Sequence, residues 1–135
     1  MARFNVVGFD DVQKKLLRHN SAAQKAAPKM LEAGAKVLVR AQKAVSRQMG
    51  VYDTGQFHDS IKPTKVKTRD EEKYVEVYPQ GVDDKGVRNA EKGFIAEYGT
   101  SRIQARPWMS TANAQAADEV HEAMRKVWEE ETVGG

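Results

Sequence analysis

The sequence predicts an α+β fold in which a small antiparallel sheet packs against a long helix of the N-terminal half and against a C-terminal helix. Apolar residues recur at helical spacing in two long segments, near residues 28–49 and 107–130. Between them, residues 57–79 show the alternation of apolar and polar side chains that is typical of short strands. The 135 residues are about the length of one domain, so we expect a single domain over residues 1–135.

The N-terminal part is predicted to be helical over residues 9–49. An extended RFNVVGF precedes Asp10 and Asp11, either of which can cap a short helix. A longer helix follows, and its apolar stripe consists of Met30, Leu31, Gly34, Ala35, Leu38, Ala41, Ala44, Val45 and Met49. Because proline lacks an N–H, we place the start of this helix near Pro28, and Gly50 is suited to end it.

The sheet is predicted over residues 57–79. An Asp-Thr-Gly turn precedes a first strand that begins near Phe57, and Pro63 excludes a central hydrogen-bonded position in it. Ile61 and Val66 have opposite parity, which indicates a bulge near Pro63. The segment EKYVEVYP alternates cleanly, so the two strands should form an antiparallel hairpin across RDEE.

A polar, glycine-bearing loop is predicted over residues 80–88, followed by a short helix over residues 89–98 and a C-terminal helix over residues 107–130. The apolar face of the short helix would contain Ala90, Phe94, Ile95 and Tyr98. Gly99 would end that helix, and Pro107 would open the next one. The apolar face of the C-terminal helix would contain Met109, Ala112, Ala116, Val120, Met124, Val127 and Trp128.

Charge is distributed unevenly along the chain. Residues 1–69 carry 14 basic and 5 acidic side chains, whereas residues 70–135 carry 8 basic and 14 acidic ones. A basic ridge runs along the long helix through Lys36, Arg40, Lys43 and Arg47, and an acidic end closes the C-terminal helix with Glu129, Glu130 and Glu131. Such a ridge fits phosphate or an acidic protein neighbour, and it also fits an ordinary solvated helix face.

The residue types offer little chemistry. The chain has no cysteine, and its three histidines lie in separate elements without a second ligand at metal-binding spacing. No glycine-rich phosphate loop and no nucleophile elbow is present. We therefore predict no enzyme activity, no catalytic, metal or cofactor-binding residues and no cofactor. The N-terminus fits neither a signal peptide nor a membrane span, so we expect synthesis in a cytoplasm and no membrane partner.

Two segments together resemble a known family. TGQFHDSI at residues 54–61 and FIAEYGTSRIQARPWM at residues 94–109 look like the paired pattern of the tail-completion, or head-tail joining, proteins of tailed bacteriophages, typified by the gene ten product of a lambdoid phage. That pattern has Thr-Gly and Ser-Ile in its first part, and Glu-aromatic-Gly-Thr and Ala-Arg-Pro-aromatic in its second. Phe57 stands where the family more often has leucine, and Trp108 where phenylalanine is frequent.

The resemblance implies a structural virion protein of the phage neck, assembled in the host cytoplasm. Its partners would be further copies of itself in a ring, commonly hexameric, the connector or adaptor of the head, and the tail-tube or terminator proteins. DNA would pass nearby without specific binding. A tail-terminator protein of similar architecture is an alternative role, and a small basic nucleic-acid-binding protein is the alternative class.

The motif residues can be given physical roles as hypotheses. Thr54 and Gly55 would form the turn before the first strand, with Phe57 and Ile61 entering the core. The short helix would end through Glu97, Tyr98, Gly99 and Thr100, and Gly99 is expected to need a positive φ. Arg106, next to Pro107, is the candidate for a buried or interfacial ion pair, for which Glu97 is one candidate partner. In a ring, the basic ridge of one copy would meet the acidic VWEEE or TRDEE segment of the next.

Overall fold

The computed structural model describes residues 21–51, 55–70 and 72–133. This part of the chain contains two helices, then four short strands, then two further helices. The helices are α1 (Ser21–Gln48), α2 (Gly55–Ser60), α3 (Asn89–Tyr98) and α4 (Trp108–Val133). The strands are β1 (Ile61–Pro63), β2 (Lys67–Arg69), β3 (Glu72–Tyr74) and β4 (Val77–Pro79). The predicted α+β class is confirmed, with helices dominant. The short helix predicted after Asp10 lies outside the described residues.

The two long helices lie side by side and run antiparallel. Lys29 near the start of α1 forms a 2.8 Å ion pair with Glu131 near the end of α4, whereas Gln42 further along α1 contacts Asn113 in the first turns of α4. The facing sides are apolar and buried: Met30, Leu31, Ala35, Leu38 and Val45 from α1, and Met109, Ala112, Ala116, Val120 and Met124 from α4. This helix pair is the main layer of the described structure, as the two apolar stripes predicted.

The expected start of α1 at Pro28 is wrong, because the helix begins at Ser21 and contains Pro28 in its second turn. A proline inside a helix leaves the carbonyl four residues earlier without its usual N–H donor. That carbonyl belongs to Gln24, and the ammonium group of Lys73 in β3 donates to it at 3.3 Å. Lys73 of the sheet therefore donates to the Gln24 carbonyl in place of the backbone N–H that Pro28 lacks. The end of α1 agrees with expectation, since Gly50 has φ 69°.

The predicted hairpin is present and contains the predicted bulge. β1 pairs with β4, and β2 pairs with β3, both antiparallel. Pro63 lies opposite Val77 and Lys67 lies opposite Tyr74, so three residues of the first strand face two of the second between these pairs. One extra residue in one strand is the definition of a bulge, and it divides the hairpin into two short sheets. Val75 and Val77 are buried, as their alternation predicts.

The strand expected to begin at Phe57 is wrong, because residues 55–60 form α2. Phe57 and Ile61 are four residues apart, a spacing that fits one face of a strand and one face of a helix equally well. In the structure Phe57 is helical, and the Ser60 hydroxyl donates to its carbonyl oxygen at 2.5 Å. Both Phe57 and Ile61 reach the core, so the burial that was expected of them is found although the local structure differs.

Candidate functional site

The second motif segment contains a buried carboxylate, that of Glu97, near the end of α3. Glu97 is 6% exposed, and its Oε1 accepts hydrogen bonds from the backbone N–H groups of Met109 at 2.7 Å and Ser110 at 3.2 Å. Its Oε2 accepts from the Ser110 hydroxyl at 2.6 Å. The first N–H groups of a helix have no partner within the helix, and its N-terminus favours negative charge. Glu97 therefore caps α4 from a different helix.

The crossover segment, residues 99–107, connects α3 to α4 through a turn that only glycine fits. Gly99 has φ 73°, and its N–H donates to the carbonyl of Ile95 at 2.7 Å. A Cβ on Gly99 would lie 2.6 Å from the Ile103 carbonyl oxygen and 2.7 Å from the Ala105 nitrogen, both of which are backbone atoms. The Thr100 hydroxyl accepts from the N–H of Ile103 at 3.0 Å and closes the turn. The positive φ predicted for Gly99 is confirmed.

Arg106 ties the crossover segment to the end of α1. The Arg106 guanidinium donates to the carbonyl of Gly50 at 2.7 Å, and the Arg106 backbone N–H donates to the carbonyl of Ala96 at 2.7 Å. The ion pair expected between Arg106 and Glu97 is wrong, because the Glu97 carboxylate caps α4 instead. Sequence spacing could not distinguish these partners, since the helix N-terminus attracts a carboxylate much as an arginine does.

Trp108 connects the two motif segments across the core. Trp108 is fully buried, its ring meets that of Phe57 edge to face at 5.6 Å, and its indole N–H donates to the carbonyl of Gly93 at 3.1 Å. Gly93 has to be small here, because an added Cβ would lie 3.1 Å from the Trp108 ring and 3.2 Å from Pro79. The side chains of the motif thus mainly hold the chain's own helices and strands together.

Two further motif residues remain. Pro107 directly precedes α4, and Thr54 lies outside the described residues.

The face of α3 that packs inward differs from the predicted one. The structure buries Asn89, Gly93, Ala96 and Glu97, whereas Phe94 and Tyr98 of the predicted apolar face are exposed. The Phe94 and Tyr98 rings contact each other at a centroid distance of 4.8 Å. Together with exposed Ile103 they form what we call the apolar patch. Sequence reasoning missed this patch, although the small or polar residues at positions 89, 93, 96 and 97 also have helical spacing.

The basic ridge lies on the outside of α1, and part of it already has acidic neighbours in α4. Lys36, Arg40 and Arg47 are exposed, and Lys43 is half-buried. Arg40 lies 3.8 Å from Glu119 across the helix pair. At the far end, Glu131 is engaged by Lys29, and this hydrogen bond raises the pKa of Lys29. Glu129 contacts Arg125 within α4 at 2.7 Å, while Glu130 is exposed.

The loop after β4 is exposed, as expected, and is organised around Asp83. The Asp83 carboxylate accepts from the N–H groups of Lys85 and Val87, each at 2.9 Å, and from the Lys92 ammonium group at 2.8 Å. The hydrogen bond from Lys92, assisted by the Val87 N–H, lowers the pKa of Asp83 to about 2. Val82 and Arg88 form an isolated bridge across the base of the loop.

Chemistry beyond these contacts is sparse in the described part of the chain. No group of three or more histidine, aspartate or glutamate side chains there could hold a metal ion. Ser46 and His58 lie 2.8 Å apart, but Ser46 is fully buried, so its hydroxyl cannot reach a substrate as a nucleophile would have to. None of the described helices is long and apolar enough to cross a bilayer.

These features define a structural rather than a catalytic class of protein, with an α+β fold whose motif side chains pack against its own elements. The chain matches the model of the HK97-gp10-like family, described as "Bacteriophage HK97-gp10, putative tail-component", over residues 10–93. Because this match covers more than half of the chain, the protein belongs to that family and is a structural component of a phage-like particle. The matched range includes the first motif segment and ends just before Phe94. No curated protein and no solved structure matches the chain.

Proposed function

We propose that this chain is a non-catalytic tail-completion protein that forms a ring in the neck of the virion and joins the head, through its connector, to the tail. Family membership supports the structural role, and the packing of the motif residues supports a rigid subunit. The hexameric number and the contacts to connector and tail-tube or terminator proteins belong to this proposal. A ring needs two different, complementary surfaces on each copy, because its contacts are heterologous.

The observation that carries the proposal is that the helix layer has two oppositely charged edges. α1 presents Lys36 and Arg47 at the surface, and α4 presents Glu129 and Glu130. Within one subunit the same complementarity already joins the two helices through Lys29–Glu131 and Arg40–Glu119. A second copy can therefore extend the layer by placing its α1 against the exposed edge of α4. Since Glu131 is engaged by Lys29, Glu130 is the better acidic candidate for the contact between copies.

The first measurement is the mass of the purified protein by light scattering at low and at high salt, with duplex DNA in a parallel run. We expect a discrete ring-sized species that loses mass at high salt, because exposed charge pairs are screened. A monomer that assembles only when connector or tail proteins are added would also support the role. A monomer that gains mass only with DNA would instead make the ridge a phosphate-binding surface and would overturn the proposal.

Charge reversal tests the proposed contact itself. Arg47→Glu and Glu130→Lys should each shift assembly towards monomer, and a mixture of the two variants should recover it where the oppositely reversed edges meet. Lys62→Glu, a reversal of an exposed lysine in β1, is the matched control and should leave assembly unchanged. If all three variants assemble like the unmodified chain, the charged edges do not form the contact.

A further inference from the structure

We propose that the outward face of α3 binds the same face of a second copy of this chain, with the two α3 helices antiparallel about a two-fold axis. The apolar patch of Phe94, Tyr98 and Ile103 lies on and beside this face, and these side chains are 40%, 64% and 52% exposed. Together they expose on the order of 300 Å² of apolar surface, at which size a patch on a monomer is often functional. The contact goes beyond the proposed function, because it uses neither charged edge of the helix layer.

The patch is held rigidly although it is exposed. Glu97, directly before Tyr98 and three residues after Phe94, has its carboxylate fixed by two backbone N–H groups of α4. Ile103 lies in the crossover segment, where its carbonyl accepts from the Thr100 N–H at 2.8 Å and its own N–H donates to the Thr100 hydroxyl. A surface that is already ordered loses little entropy when a partner binds, so its rigidity favours association.

Charged side chains of opposite sign flank the aromatic pair. Glu91, Phe94 and Tyr98 follow one another at intervals of three and four residues, so they share one face of α3, and Glu91 is exposed there. Arg88 lies 3.9 Å from the Glu91 carboxylate, but it precedes Phe94 by six residues and is turned about 120° away from this face. Arg102 is exposed just beyond the end of α3. The face is therefore acidic before the aromatic pair and basic after it.

An antiparallel pairing makes this face complementary to itself. When Phe94 of each copy lies level with Tyr98 of the other, the two-fold axis crosses α3 midway between them, and Glu91 lies about 7.5 Å from the axis along the helix. On the opposite side of the axis, six residues of helical rise bring the chain to Arg102 at about 9 Å. Each Glu91 thus comes within reach of the Arg102 side chain of the other copy. A face that carries its own complement favours a second copy over an unrelated partner.

The same pairing covers most of the exposed apolar side chains in the described ranges. The large ones are Val82, Val87, Phe94, Tyr98 and Ile103. In the antiparallel pair, Ile103 beyond the end of one α3 lies next to the start of the other, where Val87 is exposed. Val82 bridges to Arg88, so it points to the opposite side of the loop from Val87 and stays outside the contact. With the charged rim, the contact buries on the order of 1,000 Å² in total, which is typical of a weak, reversible dimer.

Sedimentation equilibrium of the full-length chain at high salt is the first test. At about 1 M salt the Debye length is about 3 Å, so contacts between the charged edges are screened while apolar contacts persist. We expect a monomer–dimer equilibrium in the micromolar range, which Tyr98→Ser weakens by about tenfold or more. Val82→Ser, at the exposed valine outside the contact, should dimerise like the unmodified chain. A chain that stays monomeric, or equal dimerisation by the two variants, would overturn the proposal.

Disulfide trapping tests the register of the pair in the full chain, which has no cysteine of its own. A Phe94→Cys chain is mixed with a Tyr98→Cys chain under oxidising conditions, and we expect a covalent heterodimer because the two positions lie level across the axis. Phe94→Cys mixed with Val82→Cys is the control and should stay monomeric on a non-reducing gel. If Phe94→Cys crosslinks equally well with both, the antiparallel pairing is wrong.

Charge exchange at low salt tests the rim of the contact. Arg102→Glu in both cysteine chains should slow the trapping a few-fold, because each Glu91 then meets a like charge. Adding Glu91→Arg to the same chains should restore the rate, and failure to restore it would contradict the two-fold arrangement. If light scattering shows rings at low salt while the chain is monomeric at high salt and no crosslink forms, this inference fails and the proposed function stands. A trapped dimer without rings has the opposite meaning.

Discussion

Glu97 offers the most direct test of the role of the motif. Its carboxylate accepts hydrogen bonds from N–H groups in the first turn of α4 that have no partner within that helix. In Glu97→Ala the N–H groups of Met109 and Ser110 lose their acceptor, and Met109 is fully buried. A buried donor without a partner costs about 1–3 kcal/mol, and loss of a helix cap costs about 0.5–2 kcal/mol. Because these contributions overlap, we expect the free energy of unfolding to fall by about 3 kcal/mol.

Glu97→Gln separates the charge from the hydrogen bonds. The amide oxygen can still accept from the N–H groups of Met109 and Ser110, so mainly the favourable interaction with the positive end of α4 is lost. That interaction is worth about 1 kcal/mol, up to about 2 in partly buried geometry. We therefore expect Glu97→Gln to destabilise by about 1 kcal/mol, clearly less than Glu97→Ala.

Chemical and thermal denaturation followed by circular dichroism measure both variants, with Asp118→Asn on the exposed face of α4 as the control. For a chain of this length 1 kcal/mol corresponds to about 4 °C in Tm, so Glu97→Ala should lower Tm by roughly 12 °C. The control should remain within about 0.5 kcal/mol of the unmodified chain. If Glu97→Ala is as stable as the control, the cap contributes nothing. If Glu97→Gln is as damaging as Glu97→Ala, the charge of the carboxylate carries the whole effect and the hydrogen bonds of a neutral amide do not replace it.

Three further outcomes are expected. Gly99→Ala should destabilise by about 2 kcal/mol or more, because its Cβ would meet backbone atoms at 2.6 Å and its φ is positive; a Tm within a degree of the unmodified chain would contradict this. Trp108→Phe should cost about 2 kcal/mol in urea denaturation, since it removes ring atoms from a full core and leaves the Gly93 carbonyl without the indole donor. The Asp83 carboxyl has a folded pKa of about 2, below its ordinary 3.8, so its stabilisation of the loop should be complete above about pH 5 and be lost as pH falls through about 2. NMR titration of the loop amides should show this transition, and Asp83→Asn should abolish it.

Hydrophobic periodicity predicted the helices well, because long amphipathic stripes leave little ambiguity. Residues 89–98 and the long C-terminal segment are helical as expected, and the bulge inferred from the parity of Ile61 and Val66 is present. The prediction of which face of α3 is buried was wrong for a physical reason. Gly93 and Glu97 pack inward because the Trp108 ring needs space and α4 needs a cap, and both demands arise from residues far along the chain.

The other errors also come from contacts that are distant in sequence. Pro28 was expected to begin a helix, but Lys73 satisfies the carbonyl that the proline leaves free, and nothing near Pro28 reveals that donor. Phe57 was expected in a strand because a spacing of four residues fits both kinds of structure. For Glu97 two plausible partners were present, a helix N-terminus and Arg106. Local sequence gives the type of an element well, whereas the choice among competing partners depends on the assembled fold.

The bond from Arg106 to the Gly50 carbonyl has a consequence for the order in which the chain matures on the ribosome. The end of α1 receives this donor from a residue 56 positions later, and Gly93 receives the Trp108 indole only after that. A nascent chain that has emerged only as far as residue 93 therefore has α1 without its closing contact and without the whole of α4. We therefore expect that the segment matched by the family model does not fold by itself, and that the chain becomes stable only when its synthesis is nearly finished.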